Sequence, residues 1–193
     1  SFNLNYKDRI GFAQKAFKDG SVKSERGNIG DATIYGVESN IDFDLNNLLI
    51  KNDNISLSYF LNTAFIDSEY IRSDVSGVVG KKVEFVPNKN IKTGIKLGVG
   101  NFIFNTQFSH VSNQYTDSSN AIEGNISGII GEIPSYNLLD FSIAFRYRKF
   151  KLESGINNLT NTYYFTRRAT GYPGPGIIPS PPMNMYLTFQ IRI

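Results

Sequence analysis

The chain has 193 residues, with 20 basic and 17 acidic side chains for a formal charge of +3, and it contains no cysteine. The charges are spread along the chain, not gathered into a basic stripe, which argues against nucleic acid as a partner, and the missing thiols remove disulfides, cysteine nucleophiles and cysteine metal sites. No run of about 18 apolar residues is present, so a helical membrane span is excluded, whereas 15 Phe and 11 Tyr, an aromatic content of 13%, favour strands and membrane-interface anchors.

Apolar and polar residues alternate with a period of two in segment after segment, the signature of strands with one greasy and one hydrophilic face. Phe2, Leu4 and Tyr6 alternate with Asn3, Asn5 and Lys7. Tyr35, Val37, Ile41 and Phe43 alternate with Gly36, Glu38, Asn40, Asp42 and Asp44. Ile55, Leu57, Tyr59, Leu61 and Phe65 follow against Ser56, Ser58, Asn62 and Ala64, then Ile91, Thr93, Ile95 and Leu97 against Lys92, Gly94 and Lys96. Phe102, Phe104 and Phe108 alternate with Ile103, Asn105, Gln107 and Ser109. Leu139, Phe141, Ile143, Phe145 and Tyr147 alternate with Asp140, Ser142, Ala144, Arg146 and Arg148, and Leu152, Ser154 and Ile156 with Lys151, Glu153, Gly155 and Asn157. At the end, Met185, Leu187, Phe189, Ile191 and Ile193 are apolar without exception, while Asn184, Tyr186, Thr188, Gln190 and Arg192 carry polar groups.

Eight strands are therefore predicted, and their connections sort into two classes. Residues 98–101 and 148–150 are short and 46–54 moderate, whereas 11–21, 68–89, 112–134 and 166–182 are long, and the two classes alternate strictly. Short periplasmic turns alternating with long extracellular loops are the rule in outer-membrane barrels, whose tilted strands need about 9–11 residues to span. The expected fold is thus all-β, a transmembrane antiparallel barrel. An open sheet edge in hydrocarbon leaves unpaired backbone groups, so eight strands in lipid must close on themselves or on other strands. A complete eight-stranded barrel with a structural or adhesive role, and a soluble β-sandwich that binds carbohydrate or protein, are the other readings of the same alternation. Ser1 enters its strand in mid-span, which predicts further chain ahead of it.

From Gly155 the chain reads Gly155-Ile156-Asn157-Asn158-Leu159-Thr160-Asn161-Thr162-Tyr163-Tyr164. This resembles the penultimate-strand signature of TonB-dependent receptors, read here as a strand whose lumen-facing polar residues give way to an aromatic girdle at the headgroup boundary. Asn28-Ile29-Gly30 followed by Tyr35-Gly36-Val37-Glu38, and Phe85-Val86-Pro87 leading into the strand from Asn90, fall in family order. With the terminal strand these cover almost the whole chain. One departure is the last residue, usually phenylalanine in the family and here Ile193.

The resemblance implies a 22-stranded barrel occluded by an N-terminal plug. Residues 1–193 would form its C-terminal segment, about eight strands, with the plug and earlier strands absent from this chain. It implies TonB-dependent active transport of a ferric chelate, a siderophore or ferric citrate-like compound, across the bacterial cell outer membrane. The chain would contribute barrel wall and extracellular loops. The partners implied are outer-membrane lipid and the TonB complex, the latter reached through the missing N-terminal region; no cofactor is implied, since the iron chelate is the substrate.

Residues 164–176 look like the last extracellular loop of receptors similar to ferric citrate transporters. Arg167 and Arg168 suit an anionic chelate because guanidinium forks match carboxylates bidentately, although a solvated rim explains them more simply. Tyr172, among Pro and Gly, is a ligand candidate or a loop-shaping residue. Glu38, Arg146 and Glu153 are candidates for plug contacts on the lumen face. The single histidine, His110, has no partner for metal ligation, and Asp42 and Asp44 read as a solvated lumen wall. No nucleophile stands beside a base and no phosphate loop is present, so no catalytic residue is assigned and no enzymatic activity is expected.

Overall fold

The structure is a computed structural model that describes residues 1–16, 22–46, 52, 54–169 and 174–192. The described residues form twelve strands: β1 (Phe2–Ala16), β2 (Val22–Asp44), β3 (Ile55–Arg72), β4 (Lys89–Val99), β5 (Phe102–Val111), β6 (Gln114–Tyr115), β7 (Glu132–Ile133), β8 (Tyr136–Tyr147), β9 (Phe150–Asn157), β10 (Phe165–Ala169), β11 (Gly176–Pro179) and β12 (Asn184–Ile191). Eight of them make one antiparallel sheet in the order β1-β2-β3-β4-β5-β8-β9-β12, while β6–β7 and β10–β11 are two-stranded ribbons within long loops. All eight predicted strands are present, each beside its neighbour in sequence once the loop ribbons are set aside. β1 and β12 are the two edges and are not paired with each other.

Register turns the sequence alternation into two continuous faces. Ile55, Val99, Phe102, Phe145, Leu152 and Phe189 lie opposite one another across six strands as one apolar row. Leu57, Leu97, Phe104 and Ile143 form the next. Among the described residues nothing covers this face, for Met185 and Leu187 stand 70% and 71% exposed. That removes the sandwich reading, which requires two apolar faces to meet, and leaves the uncovered band that a barrel turns to lipid. The opposite face carries Ser58, Lys96, Asn105 and Ser142 in one row and Gln107, Asp140, Asn157 and Asn184 in another. On this inner face the Tyr186 ring lies over Gly155 and the Phe60 ring over Gly94, where a Cβ would meet the ring at 2.5 Å and 2.6 Å. Glycine there makes room for the ring, and the ring shields backbone that glycine would leave bare.

Short turns close one end of the sheet. β4 and β5 are joined by Gly100 and Asn101, and β8 and β9 by Arg148 and Lys149, Arg148 at a φ of 51°. The moderate connection of 46–54 falls largely outside the described residues.

Three expectations are corrected at the other end. The segment 11–21 was expected as a loop, but β1 continues to Ala16 and pairs with β2 from Val22. β2 thus reaches 23 residues, well beyond what a span needs. Antiparallel pairing satisfies the backbone whatever side chains it carries, so the apolar pattern does not mark where the ribbon ends. The long loops at 112–134 and 166–182 likewise contain the two small ribbons. In β1, Phe2, Leu4 and Tyr6 lie opposite Gly36, Ile34 and Ala32 and so share the inner face. Leu4 and Tyr6 remain 44% and 43% exposed there, and the loop after β3 packs on β2 and β3 beside them. Val78 and Val83 from that loop join Ile29, Ala32 and Tyr70 in a buried cluster, flanked by Ile34, Val75 and Val86.

Finally, the motif from Gly155 is only partly a strand. β9 stops at Asn157, and Asn158 and Asn161, at φ of 54° and 51°, fold the next residues into a tight turn. Asparagine tolerates this left-handed backbone better than other side chains. The Asn158 carboxamide accepts from the Thr162 N–H and donates to the Thr162 carbonyl, both at 2.9 Å. The Asn158 N–H donates to Asp140 at 2.8 Å and the Met183 N–H to Asn161 at 3.0 Å. The motif asparagines therefore tie β8, β9 and the entry to β12 together.

Candidate functional site

The long loops gather above the end of the sheet where β1–β3 project, and they are knitted to one another. The Phe85 N–H donates to the Tyr115 carbonyl at 2.9 Å. Asn120 accepts from the Lys82 N–H at 2.7 Å and donates to the Lys82 carbonyl at 2.9 Å. Phe85-Val86-Pro87, noticed in the sequence as a motif, is the return limb of the loop after β3: Phe85 sits at a φ of 59° and Val86 packs on the buried cluster.

A buried polar triad holds that loop down. The Arg9 guanidinium donates to Tyr70 Oη at 2.7 Å and to Glu84 Oε2 at 2.6 Å, and Tyr70 donates to the same carboxylate oxygen at 2.7 Å. Glu84 is 3% exposed and Tyr70 fully buried, so these charge-assisted bonds act in a poorly screened setting. Burial, with the Glu84 carboxylate beside it, raises the Tyr70 pKa well above the ordinary phenol value. At the adjoining strand ends Arg72 holds Asp31 through Nε at 2.8 Å and Nη2 at 3.1 Å, and this guanidinium lowers the Asp31 pKa to about 2. None of these five residues was singled out in the sequence. Their partners lie 14 to 75 positions apart, and no local pattern records such a meeting.

The two arginines of 164–176 occupy different situations. Arg168 is half-buried: its guanidinium donates to the carbonyls of Gly128 and Glu132, each at 3.0 Å, and lies 5.2 Å from the centroid of the Phe165 ring. Burial lowers its pKa, though guanidinium keeps its charge in proteins. It pins the loop between β5 and β8 against β10. Arg167 is exposed and falls at a register irregularity, between the pairs Phe165–Pro179 and Arg168–Ile177. Such irregularities re-aim side chains. Tyr172 lies outside the described residues.

The lumen candidates sit on the inner face as the alternation requires. Glu38 is opposite Ala64, in a concavity shared with Asn40, Asn62, Asn90 and Lys92. Glu153 is ion-paired with Lys151 and accepts from Tyr186 Oη at 3.1 Å. Arg146 lies opposite Lys151, near the short-turn end. Between Glu38 and Glu153 runs an open trough of about 560 Å³ whose wall includes Asp42, Lys96, Gln107, Asp140, Ser142 and Tyr186. Mixed charge and amide lining suits a polar polypeptide or water better than an apolar ligand. His110 pairs with Asn137 Oδ1 at 2.7 Å. Among the described residues no group of three or more His, Asp or Glu is placed to hold a metal ion.

Residues 1–159 match the family model described as TonB dependent receptor-like, beta-barrel. No curated protein matches the chain. Among solved structures, the ferric citrate transporter FecA in its unliganded form superposes with a TM-score of 0.78 at 23% identity, covering 98% of this chain and 27% of that one. The ferric yersiniabactin uptake receptor FyuA from Yersinia pestis gives 0.67 at 18%, covering 86% and 24%, and the siderophore receptor PiuA from Acinetobacter baumannii 0.67 at 16%, covering 98% and 25%. The chain spans about a quarter of the length of these receptors. Sheet order, sorted loops, polar inner wall and family model agree, and the chain belongs to the TonB-dependent receptor β-barrel family of the bacterial outer membrane.

Proposed function

We propose that this chain is the C-terminal wall of a larger outer-membrane barrel, with its extracellular loops, in a receptor that imports a ferric chelate under TonB control. The observation that carries this reading is the open eight-stranded sheet with a lipid-type outer face and a hydrophilic inner face. Two unpaired edges suit a longer barrel and not a small one closed on itself, since each open edge in hydrocarbon would leave a row of unsatisfied backbone groups. The plug and the TonB-contacting region belong to the rest of that receptor. Glu38, Arg146 and Glu153 face the plug.

The chelate is of the ferric citrate or siderophore type, as in the solved relatives. Arg167 meets its carboxylates, Tyr172 lies beside it, and Arg168 acts through the loop it holds. In cells carrying the complete receptor, Arg167→Ala is expected to weaken ferric citrate uptake about tenfold at limiting substrate, the worth of a lost charge-assisted contact, with the amount of receptor unchanged. Unchanged uptake and affinity in both Arg167→Ala and Arg168→Ala would remove this loop from the site. Uptake of a catecholate in place of citrate would redirect the substrate assignment.

A further inference from the structure

The short-turn end of β8, β9 and β12 concentrates positive charge. Four of the six residues 146–151 are basic, and register with the Arg192 N–H to Lys149 carbonyl bond brings Gln190 and Arg192 beside them. Arg146, Arg148, Lys149, Lys151, Gln190 and Arg192 line a concavity of about 160 Å³, with Phe150 as its apolar wall. Lys151 is neutralised by Glu153. No acidic side chain lines the concavity among the described residues.

Arg146, Lys151, Gln190 and Arg192 belong to the inner face, whereas Arg148 and Lys149 form the turn at the rim itself, where Arg148 adjoins the outer face. The Arg148 guanidinium lies 5.4 Å from the centroid of the Tyr147 ring, and Tyr147 shares the outer row with Phe150 and Ile191. Those three are about half exposed, and Phe150 stacks on Phe189 at 6.0 Å. A cationic rim thus meets an uncovered aromatic and aliphatic face along one line. A dissolved anion would use only the cations. An amphiphile with a phosphate head uses both surfaces, and aromatic belts mark the depth at which such heads lie.

We propose that this rim binds an anionic phospholipid of the periplasmic leaflet. Arg148 and Lys149 hold its phosphodiester, and an acyl chain lies along Phe150, Phe189 and Ile191. The inference rests on the membrane-spanning reading above. It is tested on the complete receptor in detergent by native mass spectrometry with phosphatidylglycerol, with phosphatidylcholine and with inorganic phosphate as probes. Phosphatidylglycerol is expected to be retained selectively and to be lost as salt rises to about 1 M, where the Debye length falls to about 3 Å. Removing the cations in R148Q and K149Q is expected to weaken retention about fivefold each and about 25-fold together, while R148K and the lumen-side R192Q keep most of it. Equal retention of phosphatidylcholine, or displacement of the lipid by millimolar phosphate, overturns the proposal. If the double variant loses its heat-modifiable migration on gels, the headgroup comparison on the unaltered receptor decides alone. Partition of the receptor into the aqueous phase would instead defeat the membrane reading itself.

Discussion

The membrane sheet and the loop end of this chain are built by different means. In the sheet, each strand repeats the two-residue alternation and neighbours in sequence are neighbours in space, so the apolar row from Ile55 to Phe189 follows from strand pairing alone. In the loop end a handful of distant contacts does the work: Arg9, Tyr70 and Glu84 with the cluster of Ile29, Ala32, Val78 and Val83. Local pattern gives a region that tolerates many substitutions, whereas long-range contact gives one that hinges on a few.

Tyr70→Ala is the sharpest way to break that contrast. It empties a fully buried aromatic site and is expected to cost the loop after β3 about 3–5 kcal/mol. Proteolysis at 73–88 should accelerate while heat-modifiable migration of the barrel persists; joint loss of both would show that sheet and loop form one cooperative unit. Arg168→Ala strands the Gly128 and Glu132 carbonyls. It should loosen 112–134 by about 1–3 kcal/mol, read as hydrogen exchange confined to that loop and β10. Within the sheet, Gly155→Ala drives a Cβ into the Tyr186 ring, an overpacking cost of about 1–3 kcal/mol that should lower the urea midpoint in detergent and leave loop exchange unchanged.

The gentlest probe is pH. The fold favours the neutral Tyr70 phenol, whose pKa is raised above its ordinary value of 10.0, so its contribution is complete below pH 10 and is lost as pH climbs above it. Proteolysis of 73–88 should therefore quicken above pH 10, and less so in Tyr70→Phe, which has no phenol to ionise. An identical alkaline response in Tyr70→Phe would assign the effect to other groups.

How far the site could be read in advance differs residue by residue. Glu38, Arg146 and Glu153 were placed on the inner face by alternation alone. Arg167 and Arg168 are adjacent and chemically alike, yet one is exposed at a register irregularity and the other donates to two loop carbonyls. Composition cannot separate such neighbours, since the difference depends on where a loop 36 to 40 residues away comes to rest. The Asn158-Leu159-Thr160-Asn161 stretch carries the family resemblance but reads as strand, because asparagine side chains that clamp a turn look from sequence like polar positions of a strand.

By itself the sequence determined the number of membrane strands, their order, which side chains share a face over most of the sheet, and which end carries the long loops. These follow from a side-chain period of two and from the cost of unpaired backbone in lipid, both local or nearest-neighbour effects. Only the tertiary structure decided that the apolar residues of β1 turn to the inner face, that Arg9, Tyr70 and Glu84 meet, and that Arg168 is occupied while Arg167 is presented. Each of those depends on chain segments far apart in sequence closing on one another, and the free energy that selects such contacts comes from burial and paired charge in space.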